Sequence, residues 1–202
     1  MKIKYVIFDI GNVCYPYSPD ALGAYLRSKT ADQAHFTRIW DEDLFDFEPI
    51  LKGEVTFSQF CKEVCETFHI KYSKEIEAEI AQADHDCLGS FYEETKELMK
   101  ELRIQGYEIC LLSNITPDLE DIVPTTVPQD KRFLSYELGL RKPDPKIYQT
   151  VLQRLKADPS EVLFIDDMPQ NVSAAQKLGI NALVFDKNTI KQEVRKIILC
   201  AN

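Results

Sequence analysis

Four short apolar runs constrain this chain more than any other feature: Ile3–Asp9, Tyr107–Leu112, Glu161–Ile165 and Ala182–Phe185. Ile3–Asp9 is rich in Ile, Val, Tyr and Phe and barely alternates, as expected of a strand buried on both faces of a parallel sheet. The other three runs each follow a helix-patterned segment: Tyr92–Gln105, Pro145–Lys156 and Asn171–Leu178. Gly106 and Gly179 stand just past the ends of two of these segments, where a left-handed residue closes a helix. Strands alternating with helices of this length predict βαβ units in a doubly wound α/β layer. Phe133–Tyr136 is a weaker strand candidate. Pro117, Pro124 and Pro128 predict that any helix between Thr116 and Lys131 is short or broken.

From about Ser18 to Asp86 the pattern is helical and no strand is evident. Thr56 and Gln59 form a T-x-x-Q capping box that opens a helix over Phe57–Phe68. Phe57, Phe60, Cys61, Val64, Cys65 and Phe68 recur on one face of it. Ser73 caps a helix over Lys74–Ala83, and Pro19 suits the first turn of Asp20–Lys29. A helical block of roughly 70 residues is far longer than an ordinary βα connection, so it reads as an inserted domain. Its seams are Tyr15–Ser18 and Asp84–Ser90. The expected division is an α/β core at 1–15 and 89–202 and a helical domain at 16–88.

The net charge of −9, from 24 Lys+Arg against 33 Asp+Glu, argues against a nucleic-acid groove and an anionic membrane surface. An anionic metabolite is compatible with that balance only where a local cation receives it. The apolar run Tyr5–Phe8 is broken by Asp9, far short of a signal sequence or membrane span. The six Cys show no disulfide-framework spacing, so reduced thiols and a cytoplasmic location are expected. Cys61 and Cys65 are read as a packed helical face, and His35, His69 and His85 show no metal-site spacing. Nothing in the sequence sets the oligomeric state.

Ligands of open α/β sheets bind beyond the carboxyl ends of the strands. The first strand runs into Phe8-Asp9-Ile10-Gly11-Asn12-Val13, the second into Ser113-Asn114, and the fourth ends in Asp166-Asp167 with Asn171 beyond. Arg141-Lys142-Pro143-Asp144-Pro145 precedes the third helix. Clustered carboxylates suit Mg²⁺, a carboxylate can attack phosphorus, and a Lys and a Ser hydroxyl can hold phosphate oxygens.

These motifs, FDIGNV at 8–13, LLSN at 111–114, RKPDPKIY at 141–148 and LFIDDMPQNVSAAQKLGI at 163–180, resemble in their order the haloacid dehalogenase-like (HAD) hydrolase superfamily. The likeness covers about two thirds of the chain and is greatest to bacterial sugar-phosphate phosphatases of the glucose-1-phosphate phosphatase kind. It implies that residues 16–88 are a helical cap. It further implies Asp9 as nucleophile and Mg²⁺ ligand, the Gly11 carbonyl as a second ligand, and Ser113 and Asn114 on the phosphate. Lys142 would pair with phosphate and Asp9, Asp167 would ligate the metal, Asp166 would be ligand or neighbour, and Asn171 would orient the group.

One position departs from the pattern. Phosphatases of the superfamily usually carry a general acid two residues after the nucleophile, where this chain has Gly11. Three consequences compete: a leaving oxygen needing little protonation, such as an anomeric one; a cap residue or water in the acid's place; or binding without turnover. The sequence reading is thus a Mg²⁺-dependent phosphatase for a small phosphorylated metabolite, with a haloacid dehalogenase-type hydrolase or a non-catalytic phosphate-binding protein as alternatives. Trp40, Phe45, Asp46 and Phe47 face the substrate or pack a core, Tyr15 and Tyr17 are candidates for the site's rim, and Arg141 is equally a surface or a site residue.

Overall fold

The computed structural model describes residues 2–30 and 46–200, with the side chains of 199 and 200 left aside. His35, Trp40 and Phe45 therefore lie outside the described residues. Five parallel strands form one sheet: β1 (Tyr5–Phe8), β2 (Glu108–Ser113), β3 (Arg132–Leu134), β4 (Val162–Asp166) and β5 (Asn181–Val184), in the order β3-β2-β1-β4-β5. The chain winds outward from β1 through β2 to β3, then crosses back to β4, so β1 lies at the reversal of strand order.

Nine helices accompany the sheet among the described residues: α1 (Asp20–Lys29), α2 (Glu48–Leu51), α3 (Phe57–Thr67), α4 (Lys74–His85), α5 (Glu93–Ile104), α6 (Ser135–Leu138), α7 (Pro145–Leu155), α8 (Pro169–Lys177) and α9 (Ile190–Cys200). The period-two pleat sorts the core cleanly. Val6, Phe8, Ile109, Leu111, Leu163 and Ile165 face α5 and α9, while Ile7, Cys110, Leu112, Val162 and Phe164 face α7 and α8. The strands are therefore buried on both faces, which is why they read as continuous apolar runs.

The Thr56–Gln59 capping box is formed, and the Ser73 hydroxyl caps α4. Cys61 and Cys65 lie buried in the packed face of α3. The proline-rich loop makes two short 3₁₀ turns, Pro117–Ile122 and Gln129–Lys131, in place of a full helix. Phe133–Tyr136 divides between β3 and α6. Helix α9 was not foreseen, although Ile190, Val194 and Ile198 repeat at its four-residue spacing and bury against the sheet.

Helices α1 to α4 enclose a separate apolar cluster, with Leu22, Leu26, Ile50, Phe60, Val64 and Ile80 at its centre. Two chain crossings join this segment to the sheet, and they pair as a short antiparallel ribbon. Tyr17 stands opposite Leu88, Ser18 N donates to Cys87 O at 2.9 Å, and Gly89 N donates to Pro16 O at 2.8 Å. A Cβ on Gly89 would collide with Cγ of the rigid Pro16 ring, so glycine is required for the two crossings to pass this closely. Gly89→Ala is expected to destabilise the protein by about 1–3 kcal/mol through overpacking. Urea denaturation checks this, and an unchanged midpoint would show that the ribbon accommodates the methyl group.

Candidate active site

Sheet register brings the site together before any side chain is considered. Phe8 pairs with Ile165, so one residue further Asp9 lies beside Asp166, with Asp9 N donating to Ile165 O at 2.9 Å. By the same two-residue alternation, both carboxylates share the sheet face that carries α7. Two acids side by side repel unless a cation lies between them. Lys142, just ahead of α7, supplies it: Nζ lies 2.8 Å from Asp9 Oδ2 and 2.6 Å from Asp166 Oδ2. The ammonium is 1% exposed and sits 5.7 Å from the centre of the Phe164 ring.

Each member is held by its own partners. Asp166 accepts from Met168 N at 2.8 Å and from Asn171 Nδ2 at 2.9 and 3.1 Å, so both its oxygens are committed. Tyr148 donates to the Asn171 carbonyl at 3.0 Å. Asp9 Oδ1 accepts from Ile10 N at 2.7 Å, and the Cys14 thiol lies against the Asp9 carbonyl at 3.2 Å. Asp167 accepts from Asn12 Nδ2 at 3.1 Å.

The Asn114 carboxamide bonds to both main-chain polar groups of Lys142: Nδ2 donates to the carbonyl at 2.9 Å and Oδ1 accepts from the amide at 2.8 Å. Asn114 thus fastens β2's end to the loop that carries the lysine.

Burial pushes the Asp9 carboxyl up to about 6; Lys142 opposes that rise and Asp166 adds to it. Burial works against the Lys142 ammonium, but the two carboxylates more than offset it and raise its pKa. Burial also raises Asp167, against the Asn12 hydrogen bond. Asp9, Asp166 and Asp167 each present an oxygen within 4.8 Å of the others. Three carboxylates against one ammonium leave two negative charges when all are ionised, and oxygen ligands of this kind fit a divalent cation such as Mg²⁺. The least committed oxygens belong to Asp9 and Asp167.

A cavity of about 650 Å³ opens beside these groups. Gly11, Ser113 and Asn114 line one side, and Tyr17, Asp46, Phe47, Phe60 and Asp84 of the helical segment line the other. Arg141 also lines it, 3.9 Å from Glu48 Oε2. Tyr15 instead donates to Ile122 O at 3.0 Å and packs edge-on against Phe91. A Cβ on Gly11 would meet nothing within 4 Å, so no steric need explains glycine there. Asp84 and Thr116, which line the cavity, and Asn12, which bonds to Asp167, were not singled out in the sequence. The Gly11-Asn12 pair, with its turn character, was the available signal for Asn12.

Residues 3–179 match the sequence model of the haloacid dehalogenase-like hydrolases. D-ribitol-5-phosphate phosphatase of Bacteroides thetaiotaomicron is 29% identical over 196 residues, covering 88% of this chain and 89% of its own. The crystal structure of a HAD family enzyme from the same organism, in a magnesium complex, superposes with a TM-score of 0.77 at 26% identity, covering 93% of this chain and 95% of that one. A HAD-like hydrolase from Porphyromonas gingivalis shares the fold, with a TM-score of 0.79 at 22% identity over 98% of both chains. Other relatives are much longer: the chain spans 18% of mouse acyl-CoA dehydrogenase family member 10 and 30% of rat bifunctional epoxide hydrolase 2.

The raised Asp9 carboxyl has a consequence for stability. Burial pushes it up to about 6, above the ordinary aspartate range, so the folded state holds the extra proton, and stability from this group is lost as pH rises through that window. In EDTA, the melting-temperature difference between Asp9→Asn and the parent is expected to shift in the variant's favour as pH rises from about 4 to about 7. A difference in melting temperature that does not change with pH would contradict this assignment.

Proposed function

The chain belongs to the haloacid dehalogenase-like hydrolases, and from that premise we propose that it is a Mg²⁺-dependent phosphatase. Its substrate in this reading is a small phosphorylated metabolite, foremost a sugar phosphate, and its reaction passes through an aspartyl-phosphate on Asp9. The observation that carries the proposal is the buried Lys142 clamp on Asp9 and Asp166, with Asp167 beside it and less committed. A relative named for its action on D-ribitol-5-phosphate supports the sugar-phosphate class. The buried, unpaired thiols of Cys14, Cys61, Cys65, Cys87 and Cys110 support a reducing, cytoplasmic setting. Among the described residues no helix is long and apolar enough to cross a membrane.

Asp9, Asp167 and the Gly11 carbonyl would hold Mg²⁺, with Asp166 beside them as the anchor of Lys142. When bound, the ion offsets phosphate charge and orients its oxygens. Lys142 fixes the Asp9 carboxylate and keeps it ionised for attack on phosphorus. The phosphoryl group moves to Asp9 as its bond to the leaving oxygen breaks. Water then attacks phosphorus, breaks the acyl-phosphate bond and releases inorganic phosphate, restoring Asp9. Ser113 and the main chain at Asn114 hold phosphate oxygens in both steps. Gly11 offers no proton to the leaving group, which favours a leaving oxygen that needs little protonation. The segment 16–88 acts as a cap whose closure excludes water from the cavity. A haloacid dehalogenase is disfavoured because displacing halide from carbon needs no divalent cation, and so gives no reason to keep Asp167 next to Asp166.

A screen of sugar 1-phosphates, sugar 6-phosphates and nucleotides tests the proposal. Turnover is expected with Mg²⁺ and not in EDTA, and Asp9→Asn should lower kcat by about a thousandfold or more. Gly11→Asp, which the open space admits, should speed hydrolysis of poor leaving groups by up to about 100-fold. Mg²⁺ binding with no turnover on any ester would favour the non-catalytic alternative.

A further inference from the structure

Asn12 lies between the site and the helical segment, in hydrogen-bond contact with each. Its backbone is left-handed, with φ of 54°, and its N–H is already used on Tyr15 O at 2.7 Å. The side chain therefore projects from a turn whose main chain is locally satisfied. On one side Nδ2 donates to Asp167 Oδ2 at 3.1 Å; on the other Oδ1 accepts from Tyr17 N at 2.9 Å.

The two neighbours have opposite polarity. Asp167 presents a carboxylate, which needs a donor, and Tyr17 presents an N–H, which needs an acceptor. Rotating the amide by half a turn would set oxygen against oxygen and N–H against N–H, so only one orientation serves both. Asp at this position offers no donor, and Ser does not span both partners with one oxygen. The Tyr17 N–H is available because of the ribbon's own bonding. The flanking bonds run from Ser18 to Cys87 and from Gly89 to Pro16, which turns the Tyr17 amide outward, away from Leu88. The Tyr17 side chain meanwhile lines the cavity.

We propose that Asn12 is a positioning residue that couples the orientation of the metal-binding carboxylate Asp167 to the hinge ribbon at Tyr17. The coupling rests on the Mg²⁺ reading above. Fixing Asp167 fixes the Asn12 amide and tightens its hold on Tyr17; releasing the ribbon withdraws the Tyr17 N–H donor from Asn12 Oδ1 and loosens Asp167. Cap position and metal readiness are thereby linked through one side chain, with no contact needed between helical segment and ion.

The test uses the full chain and Mg²⁺ alone, without substrate. Asn12→Gly keeps the left-handed backbone, which glycine adopts freely, and removes both side-chain hydrogen bonds. Calorimetry should show Mg²⁺ affinity reduced by roughly tenfold or more, as for other partners of metal ligands, while the melting temperature in EDTA changes little. In the parent, hydrogen exchange followed by NMR should show the Tyr17 amide slowed by Mg²⁺; in Asn12→Gly that response should vanish. Equal Mg²⁺ affinity in the two proteins, or a Tyr17 amide indifferent to Mg²⁺ in the parent, would overturn the coupling while leaving the metal site in place. A parent that binds no Mg²⁺ would overturn the metal reading and the coupling with it.

Discussion

The site depends on one buried ammonium group. Parallel pairing of β1 with β4 forces Asp9 and Asp166 into adjacent positions at the sheet's carboxyl edge, and both side chains are almost wholly buried. A charge buried there is costly without a partner. Lys142 answers both at once, which explains the care with which it is held. Its main chain is fastened to Asn114 at the end of β2, its ammonium lies over the Phe164 ring, and Asn171 holds the opposing carboxylate in place. Breaking a buried pair of this kind by removing one partner costs about 3–5 kcal/mol. The arrangement leaves the Asp9 carboxylate oriented and buried, with Asp167, less committed than Asp166, close by.

The second organising element is the ribbon formed by residues 16–18 and 87–89. It brings a helical segment with its own apolar cluster over the strand ends, so the cavity has sheet residues on one side and helical residues on the other. Helix α4 contacts the 3₁₀ turn that follows β2, and α2 contacts α6. A ribbon this short, closed around Gly89 and Pro16, limits how the segment can tilt. Asn12 bonds to both the ribbon and Asp167 through one side chain.

Much of this was legible in the chain, for reasons that are local. Strands buried on both faces announce themselves as apolar runs, and the Thr56 capping box is a four-residue signal. Asp9 and the Asp166-Asp167 pair were legible because strand ends in an open α/β sheet are where ligands bind. What escaped is long-range or set by packing. The Asn12–Asp167 bond spans 155 residues, and no local pattern encodes it. The tie between the Asn114 carboxamide and the main chain of Lys142, 28 residues away, is likewise invisible to local pattern. The four-residue helices α2 and α6 are too short to carry a periodicity. Helix α9 had one, in Ile190, Val194 and Ile198.

The central claim is that Asp9 carries the phosphoryl group. Incubating the protein with Mg²⁺ and inorganic phosphate in oxygen-18-enriched water tests it without knowledge of the substrate, because forming and hydrolysing an aspartyl-phosphate exchanges phosphate oxygens with solvent. Mass spectrometry of the phosphate should show progressive exchange that Asp9→Asn abolishes. A protein that hydrolyses phosphate esters yet leaves inorganic phosphate unexchanged, or exchanges it equally well as Asp9→Asn, would contradict the account.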